Sequence, residues 1–70
     1  MKLSARNILK GKVTAIDEGK VTGIVTIDIG GGNVITSSVT LAAINDLKLK
    51  KGSDVSAVIK ASEVILAVDD

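Results

Sequence analysis

From Lys12 to Val39 the chain is a run of alternating β-branched residues cut in two places by glycine, and this pattern constrains the fold more than any other feature. Val21, Gly23, Val25, Ile27 and Ile29 fall on one face and Thr22, Ile24, Thr26 and Asp28 on the other, the period of two that marks a strand. Gly19, with Asp17 and Glu18 beside it, separates this strand from a preceding one that begins near Lys12. Gly30, Gly31, Gly32 and Asn33 tolerate the positive φ of a hairpin turn, after which Val34 to Val39 returns as a third strand. A three-stranded meander is predicted. Ile24 on its second face implies that this face is not wholly solvated.

Past the meander the period changes. Leu41, Ile44 and Leu47 recur every three residues behind Thr40, a residue suited to cap a helix N-terminus. Lys50, Lys51 and Gly52 read as a turn. Val55 to Val68 then alternates at first and becomes continuously apolar from Val64, as in a strand buried on both faces. Three strands, one short helix and one or two further strands predict an all-β fold, a five-stranded OB-like Greek-key barrel, as one domain over residues 1–70.

That fold has to be stabilised by very little. A domain of 70 residues buries only about 60% of the surface its unfolded chain exposes. The sequence has no Cys for disulfides and no His or Cys for a structural zinc site, so self-association is the remaining route. The 46% hydrophobic content is rich in Val, Ile, Leu and Ala, without Phe, Tyr or Trp. Such side chains pack thin layers, and the last strand needs its second cover from another subunit.

The same composition disfavours several functions. A net charge of +1 gives no broad field for nucleic acid or anionic membrane. OB barrels that bind single strands stack bases on aromatic side chains over a basic groove, and this chain has neither. A nucleic-acid-binding or protein-interaction module is therefore the alternative rather than the main reading. No apolar run reaches the roughly 18 residues of a membrane span, and none resembles a signal peptide, so a cytoplasmic location is expected. Without His there is no ordinary base for a Ser or Thr nucleophile, and no enzyme is expected. The glycine cluster is followed by a strand rather than by Gly-Lys-Ser/Thr and a helix, which removes the phosphate-loop reading. Asp17 with Glu18 lacks the further oxygen ligands of a cation site.

Two clusters of hydrogen-bond donors remain. Ser4, Ala5, Arg6 and Asn7 place a hydroxyl, a guanidinium and a carboxamide just before the β-rich region, and Lys60, Ala61 and Ser62 interrupt the apolar C-terminal segment. Each has a plain alternative: Ser4 as a turn residue, Arg6 as a surface charge or a partner of Glu63, Lys60 as the exposed member of a strand. Composition and spacing reach an anion site and no further.

The opening from Met1 through Ser4-Ala5-Arg6-Asn7 to Val13 closely resembles the Ser-Ala-Arg-Asn signature of molbindins. The resemblance extends through the glycine hairpin, Ile35 to Thr40, Leu49 to Gly52 and Val58 to Val64. It implies an OB-like fold in a homohexamer, a trimer of dimers, that stores or buffers molybdate or tungstate in the cytoplasm at subunit interfaces. Carried over by position, it implies binding by Ser4, Ala5 and Arg6 of one subunit with Lys60, Ala61 and Ser62 of its neighbour, and Thr40 near the anion. The ligand is an oxyanion, and no direct cation site is implied. A second site around the trimer axis is also implied, for which Thr22, Ser37 and Ser38 are candidate linings.

Overall fold

A computed structural model describes residues 4–69; Met1, Lys2 and Leu3 of the signature lie outside the described residues. The order of elements is β1 (Asn7–Glu18), β2 (Thr22–Gly30), β3 (Asn33–Thr40), α1 (Leu41–Asp46), β4 (Asp54–Ile59) and a 3₁₀ turn at Ala61–Glu63. The strands form one antiparallel sheet in the order β3-β2-β1-β4. A fourth strand returning beside the first is the Greek-key order.

β1 is long because it serves two partners. Its first half pairs with β4, from Asn7 opposite Ile59 to Lys12 opposite Asp54. Its second half pairs with β2, from Lys12 opposite Asp28 to Glu18 opposite Gly23. The handover is marked by a bulge between Val13 and Ala15, a device that bends a strand and increases its twist. Gly11 lies at the bend, where a Cβ would stand 2.5 Å from the Asp28 carbonyl oxygen. Only glycine allows β2 to cross so close. The sheet consequently curls into a half-barrel.

The hairpin between β2 and β3 turns on Gly31 and Gly32, at φ 63° and 80°, as a tight turn with two left-handed central residues requires. Asp28 Oδ1 accepts from the Gly30 N–H at 2.8 Å and fastens its entry. Inside the curl, Val13, Val25, Ile27 and Ile44 are buried, with Ile16, Ile35, Val39, Leu49 and Val55 packed around them. Alternation along β2 thus turns Gly23, Val25 and Ile27 inward, while Val21, expected on the same face, precedes the strand and is exposed.

The predicted helix is present, capped by Thr40 Oγ1, which accepts from the Ala43 N–H at 3.1 Å. Ile44 is its buried residue and rests against Gly23, where an added Cβ would come within 2.6 Å of Ile44 Cδ1. Leu47, the last of the three periodic residues, is instead the exposed C-cap. The helix ends in a Schellman arrangement: Leu49 N–H donates to Ile44 O and Lys48 N–H to Asn45 O, with Lys48 at φ 53°.

Two expectations are corrected. β1 begins at Asn7, five residues before the expected Lys12, because the segment from Asn7 to Gly11 is drawn into pairing with β4. The described residues form four strands, not the five of a closed barrel. The last strand stops at Ile59, where the 3₁₀ turn redirects the chain. Val64, Ile65, Leu66 and Val68 follow as exposed chain outside any strand, Ile65 at 93% exposure, so the expected burial on both faces is not met among the described residues. A single sheet layer offers them no second surface. Beside β4 the half-barrel stays open as an apolar groove of about 410 Å³, lined by residues including Ile27, Ile35, Leu49 and Ile59.

Candidate functional site

The register of β1 against β4 determines where the donors lie. Because Asn7 stands opposite Ile59 in the final pair, Arg6 and Lys60 are the next residues out on adjacent strands. The N-terminal and C-terminal clusters, more than fifty positions apart in sequence, therefore leave the sheet at one corner. Ser4, Arg6, Lys60, Ala61 and Ser62 are exposed there, and Ala5 is half-buried.

Lys60 is the N-cap of the 3₁₀ turn, which is closed by Glu63 N–H to Lys60 O at 2.9 Å and Val64 N–H to Ala61 O at 3.3 Å. The turn's own bonds begin at Glu63, so they do not use the amides of Ala61 and Ser62, the usual condition of the first N–H groups in any helical turn. The corner thus combines a guanidinium, an ammonium, two hydroxyls and backbone amides. Among the described residues the one ion pair is Lys12 with Asp54, at 2.7 Å and largely exposed, so the expected alternative of an Arg6–Glu63 pair is not formed. By sequence Asn7 belongs with the donors of its cluster. In the structure its carboxamide instead donates to the Ile59 carbonyl at 3.2 Å.

Thr40 is not brought to this corner. It pairs with Thr22, beyond the far end of β1, and its hydroxyl oxygen already accepts the helix-capping bond. Of the axis-lining candidates, Thr22 and Ser38 are exposed, while Ser37 is half-buried opposite the buried Val25. Ser37 and Ser38 are consecutive in a strand and face opposite ways, so one chain cannot present both to one site. The described residues contain no group of three or more His, Cys, Asp or Glu placed to hold a metal ion. No described helix is long and apolar enough to cross a membrane.

A half-barrel with a corner made of donors defines the class: a small β domain whose exposed chemistry suits an acceptor-only ligand. Comparison with known proteins makes this specific. The TOBE domain profile matches residues 3–66. A probable molybdenum-pterin-binding protein of Haemophilus influenzae is 55% identical over 69 residues, covering 99% of this chain and all of that protein. MopII of Clostridium pasteurianum, in an apo form, superposes with a TM-score of 0.89 at 42% identity, covering 96% of this chain and all of its own. The cytoplasmic molybdate-binding protein ModG, with molybdate bound, gives 0.94 at 54% identity, covering 99% of this chain and 49% of the ModG chain. The chain belongs to the molbindin (Mop) family of TOBE-domain proteins, a family of binding proteins and not of enzymes.

Proposed function

We propose that this chain is a single-domain cytoplasmic store or buffer for molybdate or tungstate, binding the oxyanion at subunit interfaces of a homohexamer built as a trimer of dimers. The observation that carries this reading is the β1–β4 register, which delivers both donor clusters to one corner. Family membership and the molybdate-bound ModG support the choice of ligand.

Molybdate is a tetrahedral dianion whose oxygens accept hydrogen bonds and donate none at neutral pH. Arg6 and Lys60 oppose its two charges, while Ser4 and Ser62 hydroxyls and the amides near Ala5 and Ala61 complete the shell. Charge-assisted bonds of this kind are roughly twice as strong as neutral ones, with Arg giving a fixed fork and Lys a compact point charge. An exposed corner cannot exclude water by itself. A copy related by a two-fold axis sets corner against corner, so that each anion lies between Ser4, Ala5 and Arg6 of one subunit and Lys60, Ala61 and Ser62 of its neighbour. Thr40 joins the shell only from a further copy, since within one chain it lies at the opposite end of the sheet. The uncovered C-terminal residues and the open groove are matching apolar surfaces through which copies complete an OB-type barrel.

The test is calorimetric titration of anion-free protein with molybdate, tungstate, sulfate and phosphate while oligomer mass is recorded. Tight molybdate or tungstate binding to a hexamer with weak sulfate binding is expected. No oxyanion binding would contradict the reading and leave an interaction module.

A further inference from the structure

We propose that Asn7 is a positioning residue for the oxyanion corner, holding the two donor clusters at a fixed separation through its bond to the Ile59 carbonyl. This rests on the function proposed above.

Asn7 and Ile59 are the last partners of the β1–β4 ladder, and immediately beyond them neither chain is strand. At that point the Asn7 Nδ2 group donates across to Ile59 O at 3.2 Å in a partly buried setting, linking residues 52 apart. The accepting carbonyl belongs to the planar peptide unit whose nitrogen is that of Lys60. One residue is therefore peptide-bonded to Arg6 and, through its side chain, hydrogen-bonded to the peptide that launches Lys60.

Little else fixes that launch. Lys60 has no side-chain cap bond, and the turn it starts is closed by two backbone bonds, the second a long 3.3 Å. Asn is depleted in strands, so its place as the first residue of β1 runs against local propensity and calls for a compensating interaction. Few replacements would serve. A Thr or Ser hydroxyl is shorter, and Asp would set an acceptor against a carbonyl acceptor.

The consequence concerns selectivity. Sulfate and molybdate share charge and shape and differ in size, so a site separates them by the spacing of its donors. Each site takes its two clusters from two copies, so the tie acts through assembly: the offset of Lys60 from Arg6 within each copy sets the spacing at which the clusters of two-fold-related copies meet, and loosening it lets the cavity adapt to the smaller ion. Removing the tie therefore narrows the preference as well as weakening binding.

The test titrates wild type, Asn7→Ala, Asn7→Thr and Ile16→Val with molybdate and sulfate, alongside amide hydrogen exchange of the anion-free proteins. Both Asn7 variants are expected to lose about tenfold in molybdate affinity, the factor one net hydrogen bond carries. They should also lower the molybdate-to-sulfate ratio and speed exchange at residues 60–63. Asn7→Thr does so with strand propensity retained. Ile16→Val, a core change, should melt earlier with the ratio unchanged. Asn7 variants with wild-type ratio, or with unaltered exchange at residues 60–63, would overturn the proposal. A wild-type chain that binds neither anion would instead contradict the oxyanion reading itself, and the exchange measurement would still decide whether the tie exists.

Discussion

The centre of the half-barrel and its C-terminal tail are built from the same kinds of residue and meet opposite fates. Val13, Val25, Ile27 and Ile44 are nearly inaccessible, whereas Ile65, Leu66 and Val68 stand 88–93% exposed. The difference is topological. β2 lies between two strands and beneath a helix, while residues 64–68 follow a turn that carries them off the edge of the sheet. Composition alone does not separate such regions. The contrast teaches that this chain finishes its core around β2 and leaves apolar surface uncovered beside β4, the surface that the proposed assembly would cover, at the same edge from which the donors project.

That contrast can be broken in graded steps. Replacing both Ile65→Asp and Leu66→Asp should have the largest effect: charges placed in an apolar contact cost several kcal/mol when unpaired, so the assembly should fall to monomer mass in ultracentrifugation while β circular dichroism persists. Unchanged mass would mean the tail is solvent-facing in the assembly too. Ile44→Ala should cost about 2–5 kcal/mol in denaturant unfolding, because it empties the space over Gly23. Arg6→Ala, outside the strands, should leave the fold intact yet weaken molybdate binding by roughly 10- to 100-fold, the worth of a hydrogen-bonded charge. Lys48→Gly should raise stability by about 1 kcal/mol by relieving a left-handed residue at the helix end. The exposed Lys12–Asp54 pair should contribute about 0–1 kcal/mol, so Lys12→Met should barely move the melting temperature.

What the sequence reveals divides along the same line. The β2–β3 hairpin is legible because alternation and a glycine turn are local signals, and Thr40 as a cap is legible for the same reason. The start of β1 is not: Asn7 to Gly11 lack dense β-branching and become strand through pairing with β4. The end of β4 misleads in the opposite sense, since Val64 to Val68 has strand composition but no strand partner among the described residues. The donor residues can be found by type and by resemblance, yet their shared corner depends on register. Asn7 is legible as a polar residue of the cluster, and only the pairing shows that its amide is directed at Ile59.

The most direct test of an oxyanion site shared between copies is complementation. Arg6→Ala and Lys60→Ala chains are unfolded together, refolded as mixed oligomers and titrated with molybdate. If each site draws its two clusters from two subunits, chains with different defects rebuild a fraction of intact sites, and binding absent from either variant alone returns. If both clusters of a site come from one chain, every site keeps one defect, and the mixture binds no better than its parts.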